Sequence, residues 1–270
     1  MLKSTSTLCL FLTCGLLSGC GISHLRAAKD SAPVFIPPHL GRVPDAKPKV
    51  EAHSKYGNPS SYVVRGKRYY VRQDSQGYDE KGIASWYGTK FHGQRTSSGE
   101  PYNMYTMTAA HKSLPLPTYA RVTNLQNGRQ IVVKINDRGP FEKNRIIDLS
   151  YVAAKKLDML KHGTAMVEVK AINPGEREGT PTVDRHIARH PNNRLFVQVG
   201  AYSSLANAKS INRRVKSAAT PYPIHVYRSY QHGVPVYKVQ IGPLDSVETS
   251  DKVVNRLGNE GFSSAWTLVR

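Results

Sequence analysis

The chain has 270 residues, three cysteines and a formal net charge of +19. That length accommodates two domains of ordinary size. Lys and Arg outnumber Asp and Glu 14 to 7 in residues 80–172 and 10 to 4 in residues 191–270, which excludes a basic tail as the source of the charge. The sequence holds no Gly-x-Ser-x-Gly, no P-loop and no His/Cys spacing suited to a metal, so no cofactor and no metal are implied.

Residues 1–19 read as a lipoprotein signal peptide. Lys3 precedes an apolar stretch from Leu8 to Leu17 that is too short to remain as a membrane span. It ends in Leu17-Ser18-Gly19-Cys20, a bacterial lipobox: the small residues fit a peptidase cleft and the Cys20 thiol takes the lipid. Cys9 and Cys14 leave with the signal, so the mature chain keeps no thiol for a disulfide. Each buried acyl CH₂ contributes about 0.8 kcal/mol, so a membrane, held through the N-terminal lipid, is an expected partner. Gly21 stands where an Asp would favour the inner membrane, which points to the outer membrane and its periplasmic face. A basic surface there meets lipid headgroups and wall carboxylates, and no nucleic acid is expected.

Residues 20–60 carry Pro33, Pro37, Pro38, Pro44, Pro48 and Pro59 among charges, the composition of a lipidated flexible tether. As a random coil it spans on the order of 35 Å. Residues 61–79 follow as a hairpin extension, with Tyr62–Val71 alternating around Gly66. Residues 80–172 read as a compact barrel of short strands: Ile83–Tyr87, Tyr119–Asn124, Arg129–Asn136 and Ala165–Ile172. Asn127-Gly128 is a hairpin turn between the middle two, and Ile131, Val133 and Ile135 share one face. One helix is expected, Tyr151–Leu157, with Ser150 as its N-cap.

Residues 173–193, with Pro174, Gly175, Gly179, Pro181 and Pro191, form a second disordered linker. Residues 194–270 repeat themselves with an offset of 42: Val197-Gln198-Val199-Gly200 matches Val239-Gln240-Ile241-Gly242, and Ile211 and Val215 fall on Val253 and Leu257. Two βαβ halves of this kind make a four-stranded antiparallel sheet backed by two helices. The fold class is mainly β, a barrel joined to a C-terminal α+β domain.

Cleavage of a glycoside needs a carboxylic acid for the leaving oxygen. Three carboxylates sit where turns or strand ends expose them. Asp137 ends a strand in Asn136-Asp137-Arg138-Gly139-Pro140, Glu100 lies in the turn Thr96-Ser97-Ser98-Gly99-Glu100, and Asp148 precedes the helix. Residue type alone also allows plainer roles: a turn aspartate paired with Arg138, a solvated glutamate, a structural hydrogen-bonder at Asp148 and a core histidine at His111.

Residues 82–159 resemble the double-psi β-barrel of the rare lipoprotein A (RlpA) family of septal lytic transglycosylases. The resemblance is carried by Gly82-Ile83-Ala84-Ser85-Trp86-Tyr87-Gly88, Phe91-His92-Gly93, Gly99-Glu100, Thr108-Ala109-Ala110-His111-Lys112, Asn136-Asp137-Arg138-Gly139-Pro140 and Ile147-Asp148-Leu149-Ser150. It implies Glu100 and Asp137 as the essential acidic pair and His111 as a third site residue. Ser97 and Ser98 depart from the family's usual Thr-Ala-Asn, and Asp158 stands where Gly is common; both departures are expected to lie away from the acids. Residues 194–270 resemble a SPOR domain, of RNP-like fold, through Phe196-Val197-Gln198-Val199-Gly200-Ala201-Tyr202 and Tyr237-Lys238-Val239-Gln240-Ile241-Gly242-Pro243.

Together these resemblances imply an enzyme of the division septum whose partner is peptidoglycan glycan strands stripped of stem peptides, with division-site proteins as further candidates. Asp137 is expected to protonate the bond between N-acetylmuramic acid and N-acetylglucosamine, the muramic C6 hydroxyl then closing a 1,6-anhydro ring without water. Trp86 and Tyr87 are expected to form a sugar-stacking wall and Arg138 to orient the acid. Gln198, Tyr202, Tyr237 and Gln240 are expected to present a glycan-binding sheet face. The rival readings are a wall hydrolase, which adds water, and a lipid-anchored glycan binder without catalysis.

Overall fold

The computed structural model describes residues 30–38, 40–174 and 193–270. The signal peptide, Cys20 and most of the 173–193 linker lie outside the described residues. The first regular element is the expected hairpin, β1 (Ser61–Val64) and β2 (Lys67–Tyr70), turned at Arg65 and Gly66 with φ of 49° and 76°. Its tyrosines Tyr62 and Tyr69 stack at 5.4 Å and pack on Phe141, and Tyr62 Oη donates to Lys112 O at 2.7 Å, which pins the hairpin to the barrel.

Six strands close the barrel: β3 (Asp79–Tyr87), β4 (Thr108–His111), β5 (Thr118–Asn124), β6 (Gln130–Asp137), β7 (Ile147–Ser150) and β8 (Ala165–Ile172), in the order β3-β7-β4-β6-β5-β8. The pairs β3/β7 and β4/β6 are parallel; the others are antiparallel. Along β6, Ile131, Val133 and Ile135 are at most 2% exposed and fill the interior, as their alternation requires. The turn at Asn127-Gly128 forms, Gly128 taking φ of 74°. Helix α1 (Tyr151–Lys156) begins at Ser150, whose Oγ accepts from Ala153 N at 3.3 Å. Asp158 sits just past this helix at φ of 59°, which explains why glycine suits the position, and it pairs with Arg129 at 3.2 Å.

Strands β4 and β7 have no counterpart in the sequence reading. Each has four residues, too few for alternation to show.

A larger departure concerns the tether. Residues 40–60 lie along the barrel as a strap, so any free tether ends earlier than residue 60. Leu40 is buried in the barrel's core, Ala46 N donates to Val132 O at 3.0 Å, and Asp45 accepts from Val132 N at 3.0 Å. Asn58 bridges to both N and O of Leu116, and Ser54 N donates to Leu116 O at 2.7 Å. Proline content and a scarcity of large apolar residues suggested a coil. The strap docks instead through a few apolar anchors, backbone bonds and short polar side chains, which composition does not register.

The C-terminal domain has β9 (Leu195–Tyr202), α2 (Leu205–Arg214), α3 (Lys216–Ala219), β10 (Ile224–Gln231), β11 (Val234–Leu244), α4 (Val247–Asn259) and β12 (Trp266–Val269). The sheet order β10-β11-β9-β12 is antiparallel throughout, as the repeat predicted. Val215 at the α2–α3 junction and Val253 and Leu257 of α4 are among the residues buried against the sheet, and Ile211 is partly buried there. The domain also touches the barrel: Ile83 and Leu125 join its apolar cluster, and Arg145 grips Asp251 with two bonds of 3.1 and 2.6 Å. Arg145→Ala removes a charged, partly buried pair worth about 1.5–3 kcal/mol. It is expected to loosen the docking, seen as a larger radius of gyration; unchanged scattering would assign the docking to the apolar contact and the Asn144 bonds to Asp251 and Thr267.

Candidate active site

Asp137 and Glu100 are brought together by one turn. Residues 96–100 close on themselves through Thr96 N to Glu100 O (2.8 Å) and Gly99 N to Thr96 O (2.9 Å), with Gly99 at φ of 93°. Ser98 N docks this turn on the end of β6 by donating to Asn136 O at 3.2 Å. The strap backs it: a side chain at Gly57 would meet Ser97 O at 2.6 Å, so only glycine allows this approach. Asp137 Oδ1 accepts from Ser97 N (2.8 Å), Ser97 Oγ (2.7 Å) and Arg138 N (2.7 Å). Glu100 accepts from Lys134 Nζ (2.8 Å) and Asn136 Nδ2 (2.7 Å). Burial would raise the Glu100 pKa, but these two donors outweigh it and hold the carboxyl below its usual range. Glu100 is thus a fixed carboxylate. Beside Lys134 a cavity of about 420 Å³ opens, with Val43, Pro44 and Lys47 of the strap forming one wall.

Ser97 therefore touches an acid directly, contrary to the expectation that the departures at 97 and 98 lie away from the site. Ser97→Ala keeps the backbone donor and loses the hydroxyl. A fall in rate of about 3–10-fold, one modest hydrogen bond, is expected in a strand-cleavage assay; a loss as complete as that of Asp137 would mean that Ser97 does more than hold the carboxylate.

His111 does not reach the acids. It is 3% exposed; its Nδ1 accepts from Ser113 N (3.2 Å) and Leu114 N (3.0 Å), so Nε2 carries the hydrogen and donates to Tyr78 Oη at 2.8 Å. Burial, helped by Arg138, Lys112 and Arg72, lowers its pKa to about 3. The core-histidine role is realised, and its link to the site is indirect. Arg138 is likewise a brace: its guanidinium donates to Gly57 O (2.8 Å), His111 O (3.1 Å), Leu114 O (2.5 Å) and Asn58 Oδ1 (3.0 Å). Only its backbone N orients Asp137.

The aromatic wall is also rearranged. Tyr87 is 7% exposed and stacked on Tyr102 at 4.0 Å, so it is covered rather than presented to a sugar. Trp86 packs edge-on against Tyr151 at 5.7 Å, while Phe91, edge-on to Tyr87, is 39% exposed and Tyr56, beside Gly99, is 61% exposed. Sequence reasoning missed the roles of Ser97 and Lys134, because they follow from which segments become neighbours.

In the C-terminal domain, Gln240 Nε2 donates to Gln198 Oε1 at 2.9 Å, with the two residues 1% and 5% exposed. They face each other in register across β11 and β9, so each amide is the other's nearest partner. They brace the sheet rather than present a sugar-binding surface. Tyr202 and Tyr237, also paired in register, are partly buried against the apolar cluster. Gln198→Ala leaves a buried amide without its partner and is expected to cost about 1–3 kcal/mol, lowering the melting temperature; glycan binding measured well below that temperature should persist, and its loss there would return Gln198 to the binding face.

The fold is a closed six-stranded barrel with carboxyls clustered at one strand end, joined to a four-stranded α+β module. Residues 79–169 match the family model described as lytic transglycolase, and residues 191–268 match the SPOR domain. The chain belongs to the RlpA family. It is 42% identical over 230 residues to one Pseudomonas aeruginosa protein named endolytic peptidoglycan transglycosylase RlpA, covering 83% of this chain and 63% of that one. A second P. aeruginosa protein of that name is 36% identical, covering 94% and 88%, and one from Vibrio cholerae is 34% identical, covering 93% and 92%.

Proposed function

We propose that this chain is an endolytic lytic transglycosylase that cuts peptidoglycan glycan strands between N-acetylmuramic acid and N-acetylglucosamine and leaves 1,6-anhydro ends. The observation that carries the reading is the turn 96–100, which fastens Asp137 through Ser97 and Glu100 through Asn136 to the same strand end. A carboxylate pair tied to one rigid turn suits the two faces of a single glycosidic bond. Glu100, held ionised by Lys134, supplies fixed negative charge for an oxocarbenium-like transition state. Asp137, with three donors on Oδ1, exchanges the proton at Oδ2.

The C-terminal domain holds the enzyme on denuded strands, and the lipid on Cys20 holds it at the outer membrane, where wall is remodelled at the septum. Digestion of purified peptidoglycan, with and without prior removal of stem peptides, tests the reaction. Mass spectrometry distinguishes anhydro ends, lighter by one water, from the reducing ends a hydrolase leaves; binding with no new ends would mark a non-catalytic binder. Cys20→Ser should shift the protein from the outer-membrane fraction to the soluble periplasm.

A further inference from the structure

We propose that Asp148 is a third catalytic carboxyl of this site and delivers the proton to the leaving glycosidic oxygen, while Asp137 takes the proton of the attacking C6 hydroxyl. The proposal rests on the transglycosylase reading and deepens it.

The geometry comes from strand register. Strand β4 lies between β6 and β7, and Ala110 of β4 is the direct partner of Asp137 on one side and of Asp148 on the other. Directly paired residues share a face, so both aspartates stand on the same outer face of the barrel. They are two strand spacings apart, roughly 10 Å between Cα atoms. The Ala110 methyl lies between them in the sheet, and the Gly139 backbone passes over it. A bulge in β6 makes this alignment: the register steps over Asn136, and Asp137 rather than Asn136 comes opposite Ala110. The backbone after Asp137 then returns toward Asp148, since a Cβ on Gly139 would lie 3.7 Å from the Ala110 methyl and 4.0 Å from Asp148 Oδ2. The two acids therefore stand in one row, on either side of Ala110 and of the glycine backbone that covers it.

The surroundings of Asp148 are those of a proton donor. On its far side Ser85, its register partner on β3, donates to Oδ1. The helix cap is Ser150, so Asp148 has no capping duty, and its Oδ2 makes no hydrogen bond among the described residues. The carboxyl is closely surrounded by protein yet the residue keeps a partial opening to solvent. Burial lifts its pKa from 3.8 to about 6; the Ser85 hydroxyl and the cations Lys112 and Arg145 oppose the rise, and Asp30 adds to it. Tyr87 and Tyr102 are the other titratable groups nearby. Glu100, locked as a carboxylate by Lys134, has no proton to give.

In the step, the Asp148 proton goes to O4 of N-acetylglucosamine as the C1–O4 bond breaks. The C6 oxygen of the muramic residue bonds to C1, and its proton passes to Asp137. One proton is lost by Asp148 and one gained by Asp137, no water is consumed, and exchange with solvent resets the pair after product leaves.

The test uses the full chain and purified glycan strands, counting anhydro ends from pH 4.5 to 8.5. Wild type should lose rate as pH rises through about 6, because the neutral acid disappears. Asp148→Asn should fall by about 10²-fold or more and lose that limb, while its melting temperature at pH 7.5 is unchanged or higher because a buried charge has gone. Ser85→Ala removes a bond that favours the ionised form, so the limb should move to higher pH, a shift that a purely structural Asp148 would not give. Near-normal rate in Asp148→Asn, or a limb that Ser85→Ala leaves in place, overturns the proposal and leaves the transglycosylase reading intact. A wild-type chain that makes no anhydro ends overturns both.

Discussion

Asp137→Asn is expected to slow the formation of anhydro ends by about 10²–10⁴-fold while the fold stays in place. The amide oxygen of Asn can still accept from Ser97 N, Ser97 Oγ and Arg138 N, so the turn 96–100 keeps its anchor. What disappears is a carboxylate able to take the C6 hydroxyl proton. Product counting beside a thermal melt separates the two effects. A variant that digests strands at the wild-type rate removes Asp137 from the chemistry; one that is inactive because it melts early makes the residue structural.

His111→Ala is expected to have the largest effect on stability. It removes the acceptor of Ser113 N and Leu114 N and the donor to Tyr78, whose hydroxyl continues to Glu80 at 2.7 Å. Two backbone N–H groups and a cavity are left inside the barrel, which costs about 3–4 kcal/mol. The melting temperature of a domain this size should fall by roughly 10 °C or more. Activity should fall with it, because the His111 and Leu114 carbonyls that grip Arg138 sit on the loosened segment, and Arg138 N holds Asp137. His111→Gln, which can both accept and donate, should recover part of both. The direct readout is nuclear magnetic resonance of the imidazole: burial keeps it neutral well below pH 5, with the proton on Nε2. Titration near 6.5, matched by a rate that rises through the same pH, would instead make His111 a general base. That slope has the opposite sign to the one expected from Asp148, so the two cannot be confused.

Features set by neighbours in the chain were readable without a structure. The Asn127-Gly128 turn, the buried face of Ile131, Val133 and Ile135, the Ser150 cap and the 42-residue repeat all depend on local backbone preference or on period, and each stands where it was expected. The motif Asn136-Asp137-Arg138-Gly139-Pro140 marked the strand end that carries the site. Roles that depend on distant partners were misjudged. Arg138 looked free to orient an acid and instead ties together residues 57–58 and 111–114; Gln198 and Gln240 looked presented and face one another; the strap looked like a coil.

By itself, then, the sequence determined the segments, their order and the residue types able to move a proton, because hydrophobic period and turn chemistry act over a few residues. Only the closed barrel decided which carboxyl meets which. The order β3-β7-β4-β6 sets Ser85, Asp148, Ala110 and Asp137 side by side from four separate stretches of chain, and the one-residue bulge at Asn136 chooses the member of β6 that joins them. Neighbours across a sheet are fixed by closure and register, and those are properties of the whole folded chain.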